Sequence, residues 1–246
     1  MSENHSITTG DYRDSHLAKG ADYDNALAQS AYDRYMADCE KQLLLRIIPK
    51  LFPNKIPRYL DFACGTGRIT STVMNFAEKS TGVDISENML SEARKKCPQV
   101  RFVHCDLTRE SGELSDFDLV TAFRFFGNAQ DELRIAALSA ISRHTKPGAY
   151  LVINNHRNPG SIHNRLSALR NEKDITDLSH KKLYGLLSQA NFKVERAYGI
   201  ASWVIRHKYK KEQYLNGRIG KLLAGFYTPH FLASLCPDAI IVARKT

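Results

Sequence analysis

Two glycines and two carboxylates stand at the ends of three successive strand-like runs. Gly65 and Gly67 follow "RYLDFA", Asp84 closes the next run in "GVDIS" 17 residues after Gly67, and Asp106 follows a third in "CDL". Glycines at a strand end let bare backbone approach a ligand and take φ > 0 if the loop needs it. A carboxylate one strand further on accepts hydrogen bonds from both hydroxyls of a vicinal diol. A second one, after the third strand, can accept from an exocyclic amino group. Together they describe a seat for an adenosine moiety. A dinucleotide loop would place glycine at position 70, where this chain has Thr70, and Ala63 occupies a position often held by a further glycine.

Groups able to move a proton or hold an anion follow the fourth and fifth runs. "FRFFGN" supplies Arg124 and Asn128, and "NNHRN" supplies Asn155, His156, Arg157 and Asn158. His156 is the best general base, because imidazole is partly neutral near pH 7. Arg124 and Arg157 suit an anionic group on an acceptor. His104 reads as a packed strand residue.

Elements must carry these groups to one place. Residues 21–52 read as helix, with Tyr32, Met36, Cys39, Leu43, Leu44 and Ile47 near helical spacing, and Pro53 and Pro57 end the segment. "RYLDFA" is then a strand, 67–78 a helix and "KSTGVDI" a strand. Ser86 caps a helix that buries Met89, Leu90 and Ala93. "VRFVHCDL" and "FDLVTAFRFF" are strands, 130–144 a helix, and "KPG" a turn before the strand "AYLVINNH". Helix 179–190, strand "FKVERAYGI" and strand "AIIVARK" complete the pattern. Strands alternating with helices imply a doubly wound parallel sheet, α/β in class. The last two strands lack a helical crossover and are expected to lie antiparallel at the sheet edge. Residues 206–236 between them are too long for a turn and read as an insertion with one or two helices.

The chain has 246 residues, 43% hydrophobic, enough for one core with a lid or insertion. No apolar run reaches membrane-spanning length, and the polar N-terminus lacks a signal-peptide stretch, which points to the cytoplasm. Five cysteines without C-x-x-C spacing speak against a disulfide framework or structural zinc. The net charge of +9 permits an anionic partner. Six cations, from Arg206 to Lys221, share the insertion with aromatic residues, a combination suited to single-stranded RNA, a sugar nucleotide or a membrane-associated lipid.

The motifs "LDFACGTGRIT", "GVDISENML", "CDL", "FDLVTAFRF" and "KPGAYLVI" resemble those of class I S-adenosylmethionine-dependent methyltransferases, nearest to the quinone-biosynthesis and sugar-methyltransferase branch. The resemblance covers residues 57–156. It implies a mostly parallel seven-stranded sheet in a domain over 53–246, with 1–52 as an N-terminal helical lid. It implies that Asp61, Ala63, Gly65 and Gly67 line the methionine end of the cofactor and that Asp84 takes the ribose. Ile85 and Met89 then lie against adenine, Asp106 and Leu107 at its edge, and Phe123 near the sulfonium. "KGADYD" resembles a segment that folds over the cofactor, which nominates Tyr23. "FRFFGN" lacks the Pro–Pro–aromatic signature of enzymes that grip amide or base nitrogens, and nothing suggests a metal. The implied activity is methyl transfer to an oxygen or nitrogen of a small molecule or glycan. RNA methylation through the insertion and a non-catalytic cofactor-binding role are the alternatives.

Overall fold

A computed structural model describes residues 31–109, 114–162, 164, 165, 177–200 and 227–246. Tyr23, the side chain of Tyr32 and residues 201–226, the greater part of the expected insertion, lie outside these.

Eight strands form one sheet: β1 (Ile56–Phe62), β2 (Ala77–Asp84), β3 (Arg101–His104), β4 (Phe117–Ala122), β5 (Thr145–Asn155), β6 (Phe192–Ile200), β7 (Tyr227–Thr228) and β8 (Asp238–Lys245). Their order is β3-β2-β1-β4-β5-β8-β6-β7. Strands β3, β2, β1, β4 and β5 pair in parallel, and β8 pairs antiparallel with both β5 and β6. The expected parallel core is present. The expected seven strands become eight through the two-residue β7, and β8 lies inside the sheet rather than at its edge.

The helices are α1 (Ala31–Leu51), α2 (Arg68–Val73), α3 (Glu87–Lys96), α4 (Asp131–His144), α5 (His180–Gln189) and the short α6 (His230–Ala233). Two apolar layers sandwich the sheet. Leu44, Ile48 and Ile69 of α1 and α2 pack with Leu119, Val152 and Ile240 on one face. Leu133, Ala137, Leu183 and Leu187 of α4 and α5 pack with Val120, Leu151 and Ile241 on the other. Successive residues of β4, β5 and β8 thus bury on opposite faces, which is why these strands read as continuous apolar runs. Among the described residues no helix is long and apolar enough to cross a membrane.

Three boundaries depart from the sequence reading. Helix α2 stops at Val73, and a 3-10 turn over Met74–Phe76 leads straight into β2 at Ala77. Strand β4 ends at Ala122, because Arg124 takes φ 57° and Asn128 and Ala129 close a turn onto the Phe125 carbonyl. "KPG" does not precede β5 but bulges within it: Phe117 and Leu119 of β4 pair with Thr145 and Tyr150, and Gly148 takes φ 79°. The Ser86 cap is as read, its Oγ accepting from the Met89 amide at 3.4 Å, with Met89, Leu90 and Ala93 buried.

Candidate active site

The loop after β1 turns on three residues with positive φ: Ala63 (54°), Gly65 (53°) and Gly67 (75°). The two glycines serve different ends. A Cβ on Gly65 would meet only the Met89 sulfur at 3.8 Å, so its face stays open toward the cleft. A Cβ on Gly67 would lie 3.2 Å from the Ala93 Cβ, so this glycine lets α2 start hard against α3. Ala63 does without glycine's freedom and carries a strain of about 1–2 kcal/mol.

The carboxylate of Asp84 anchors the loop. One oxygen accepts from the Gly65 amide at 2.8 Å and the other from the Ser86 amide at 2.9 Å. Burial pushes its pKa up, and these amides pull it partly back. Each oxygen keeps a lone pair beyond the one its amide uses. Asp106 stands across the cleft, its Oδ1 accepting from the Thr108 amide (2.9 Å) and hydroxyl (2.5 Å). His104, read from sequence as a packed residue, is half exposed, its Nε2 3.0 Å from the Ile85 carbonyl oxygen.

The cleft is open to solvent and has a volume of about 100 Å³. Ala63, Gly65, Asp84, Ile85, Met89, Asp106, Leu107, Phe123 and Arg124 line it, with Cys105 and Phe125 among the additional walls. Two expected liners are elsewhere. Gly67 packs on Ala93, and Asp61 is buried beneath the loop, accepting from the hydroxyls of Thr70 (2.6 Å) and Thr121 (2.7 Å).

At the rim, the turn after β4 meets the segment after β5. The His156 ring lies on the bare backbone of Gly127, where a Cβ would come within 2.9 Å of Cε1. The Asn128 Oδ1 is 3.2 Å from His156 Nε2 and accepts from Arg157 Nη2 at 2.7 Å. Asn128 Nδ2 donates to the Arg124 carbonyl at 2.7 Å. Neither His156 nor Asn128 lines the cleft itself; Arg124 links their turn to it. The Arg124 guanidinium is not turned toward an acceptor. It pairs with Asp33 of α1 at 3.0 Å and approaches Glu40 at 4.0 Å. Asn155 and Asn158, also rim candidates, are buried scaffold: Asn155 donates to the Leu178 carbonyl, and Asn158 to the carbonyls of Ser234 and Cys236.

A family model described as a methyltransferase domain matches residues 60–148, the stretch that builds β1 to the start of β5 and hence the cleft. Over those residues the chain resembles the class I S-adenosylmethionine-dependent methyltransferases. It is 34% identical over 113 residues to the demethylmenaquinone methyltransferase of Staphylococcus aureus strain MRSA252, covering 44% of this chain and 46% of that protein. With the Beutenbergia cavernae protein of the same name it shares 33% over 96 residues, 39% of each. The matches thus span less than half of the curated relatives' length. Among solved structures, magnesium protoporphyrin IX methyltransferase from Synechocystis PCC 6803 with bound S-adenosyl-L-homocysteine superposes with TM-score 0.64 at 16% identity, over 95% of this chain and 98% of that one. An N-methyltransferase from Bradyrhizobium japonicum WM9, in complex with the same compound, superposes with TM-score 0.59 at 14% identity, over 94% and 95%. These two likenesses establish the fold.

Sequence reading missed Glu40. It is 2% exposed, accepts from Asn154 Nδ2 at 2.7 Å and pairs with Arg68 at 2.8 Å. Asn154 Oδ1 in turn accepts from the Arg124 amide at 2.6 Å. Glu40 therefore ties α1 to the start of α2 and to the turn after β4. The available signal was a carboxylate inside the apolar stripe of Met36, Cys39, Leu43 and Leu44, where an acid needs a partner.

Two buried groups give the domain opposing pH dependences. Burial pushes the Asp61 carboxyl up to about 6 and the His180 imidazole down to about 4. The folded domain binds the Asp61 proton more tightly than the unfolded chain does. That contribution is full below the unfolded carboxyl pKa and is lost as pH rises through 6. His180, with Nδ1 3.0 Å from the Asn155 Nδ2 donor, folds neutral; its contribution is full above pH 6.5 and is lost as pH falls toward 4. Asp61→Asn is expected to gain on the parent by up to about 3 kcal/mol between pH 4 and 7, from a shift of about two pKa units. Urea unfolding at four pH values measures it, and parallel curves for parent and variant would refute the shift.

Proposed function

We propose that this chain transfers the methyl group of S-adenosylmethionine to an oxygen or nitrogen of a small-molecule acceptor. The observation that carries the reading is the Asp84 carboxylate, fixed by two loop amides at the floor of the cleft with acceptor capacity left for a ribose diol. The remaining liners fit the rest of the cofactor. Ile85, Met89 and Leu107 offer apolar faces to adenine, Asp106 an acceptor for its amino group, and Ala63, Gly65 and Phe123 line the methionine end. Asp61 and Gly67 act one layer out, holding the loop rather than touching the cofactor. Tyr23 is kept as a candidate cover from the N-terminal segment.

When bound, the sulfonium supplies an already activated methyl group, so the protein's task is alignment and exclusion of water. Phe123 and Phe125 provide a dry wall, and the turn they share with Arg124 sets the rim. In the step itself the acceptor oxygen or nitrogen forms a bond to the methyl carbon as the carbon–sulfur bond breaks, and S-adenosylhomocysteine leaves. An acceptor hydroxyl also loses a proton. His156, held by Asn128 on Gly127, is the base we assign to it; Asn128 and Arg157 orient that ring. With its guanidinium paired to Asp33, Arg124 serves as a positioning residue.

The acceptor class is tested with methyl-labelled S-adenosylmethionine and cell extract separated into small metabolites, glycans and lipids, RNA, and protein. Label in the small-molecule or lipid fractions, reduced about 10²-fold or more by His156→Ala, supports the reading. Label confined to RNA favours RNA methylation. Cofactor binding with no label in any fraction favours a non-catalytic protein.

A further inference from the structure

Helix α1 sets one buried carboxylate between the two segments that wall the cleft. Arg68 Nη1 pairs with Glu40 Oε2 at 2.8 Å, Asn154 Nδ2 donates to Glu40 Oε1 at 2.7 Å, and Asn154 Oδ1 accepts from the Arg124 amide at 2.6 Å. Glu40 is 2% exposed and Asn154 3%, so both sit beneath α1 and out of water. The chain of four ends at the cleft on either side. Arg68 follows Gly67 directly and opens α2, and Arg124 makes the turn after β4.

What this chain holds in place is a change of face. Along β4, Leu119 packs in the layer of α1 and α2, and Val120 and Ala122 pack in the layer of α4 and α5. An extended strand would keep Phe123 and Phe125, two residues apart, on one face. Instead Phe123 lies in the first layer and Phe125 in the second, and both line the cleft. The reversal is made at Arg124, whose φ of 57° persists in an L-residue only where its surroundings impose it. Two asparagines impose it here: Asn154 takes the Arg124 amide, and Asn128 donates to its carbonyl at 2.7 Å. Asn154 can serve only with its oxygen turned to Arg124. The Glu40 carboxylate, which accepts and does not donate, sets that orientation.

The turn stands at one end of the cleft. In the sheet order β3-β2-β1-β4, Asp106 and Asp84 come from the ends of β3 and β2, the side assigned to adenosine. Phe123, Arg124 and Phe125 follow β4, on the other side of the glycine loop. A displaced turn therefore opens the cleft at the methionine end and leaves the nucleoside seat intact.

We infer that Glu40 and Asn154 are positioning residues for the methionine end of the cofactor. By fixing the left-handed turn at Arg124 they bring Phe123 and Phe125 together as the wall beside the methyl group. By its pair with Arg68, Glu40 also sets that wall against the glycine loop. The inference rests on the placement of S-adenosylmethionine in the cleft proposed above.

The test compares the affinity of the full chain for S-adenosylmethionine with its affinity for adenosine, by calorimetric titration, and needs no acceptor. Asn154→Asp sets two carboxylates face to face, and Glu40→Gln turns an amide N–H₂ against either Arg68 or Asn154. Each is expected to weaken S-adenosylmethionine binding about tenfold and to leave adenosine within about twofold of the parent. The double variant, Glu40→Gln with Asn154→Asp, reverses the hydrogen bond. Its introduced amide donates to its introduced carboxylate, and Arg68 and the Arg124 amide keep their acceptors. S-adenosylmethionine affinity is expected to return to within about threefold of the parent, a rescue that lost packing does not produce. Asn154→Ser, which leaves Glu40 paired with Arg68, replaces any single variant that does not unfold cooperatively and carries the same expectation. Unchanged S-adenosylmethionine affinity in the single variants overturns the inference, as does an equal loss of adenosine, or a double variant no better than the weaker single one. Asp84→Ala separates this inference from the reading beneath it. Loss of both compounds there, with no effect at Glu40 or Asn154, overturns the inference alone; loss of neither overturns the placement of the cofactor as well.

Discussion

Replacing Asp84 by alanine is expected to weaken S-adenosylmethionine binding by about two to four orders of magnitude. Two hydrogen bonds from ribose hydroxyls to a half-buried carboxylate are worth about 1.5–3 kcal/mol each, and each 1.4 kcal/mol is tenfold in affinity. A further loss comes from the protein alone. The Gly65 and Ser86 amides lose the oxygens that hold them at 2.8 and 2.9 Å, so the loop is no longer organised before the ligand arrives. Asp84→Asn is expected to fall between parent and alanine, because it keeps one acceptor oxygen and puts a donor against one of the two amides. Calorimetric titration of the three proteins, each shown to unfold cooperatively, measures the series. An affinity unchanged in Asp84→Ala would falsify the ribose assignment and with it the placement of the cofactor.

Arg134→Ala is expected to have the largest effect on stability. This guanidinium is 1% exposed and organises one side of the domain. Its Nε donates to the Phe126 carbonyl at 2.8 Å, Nη1 to Asp131 at 2.7 Å, and Nη1 and Nη2 together to Asp177 at 2.9 and 2.7 Å. Removing it strands a buried carbonyl and leaves two carboxylates to Lys182 alone, 2.7 and 3.5 Å away. With the carboxylates partly solvated, the cost lies in the stranded carbonyl and the void left by the buried side chain, together about 3–5 kcal/mol. In a chain of this size that corresponds to a fall in Tm of about 10 °C. Arg134→Lys keeps the charge but not the fork, and should recover only part of it. Because Phe126 lies in the turn that carries Arg124 and Asn128, methyl transfer should fall more than cofactor affinity does. A drop of less than 2 °C would show that Lys182 and solvent replace the network.

The sequence revealed what is local. The strand–glycine loop–helix, the Ser86 cap and the carboxylates at successive strand ends are fixed within about ten residues of chain, and patterning exposes them. What escaped it depends on partners far away in the chain. Nothing near Asp61 announces that Thr121, sixty residues on, will occupy its oxygen, or that Gly67 is needed by Ala93 rather than by a ligand. Arg124 looks like an anion ligand until Asp33, 91 residues earlier, is seen to hold it. The rim candidates look alike as Asn155, His156, Arg157 and Asn158. Pleat and turn send Asn155 and Asn158 into the scaffold and His156 and Arg157 to the surface cluster with Asn128. The place of β8 was hidden for the same reason, since an apolar run gives no sign of which neighbours it will join.

That placement governs the order in which the molecule can assemble. Strand β6 is separated from β5 by β8, whose first residue emerges 38 positions after β6 ends. While the chain is being synthesised, β1 to β5 can close on each other as they appear. β6 has the full length of its inner edge unpaired until β8 threads between it and β5. A nascent chain halted in this interval therefore presents two open apolar strand edges, the condition under which chains pair with one another. Insertion of β8 is a single event that joins both halves of the sheet at once, so this strand acts as the keystone of the fold.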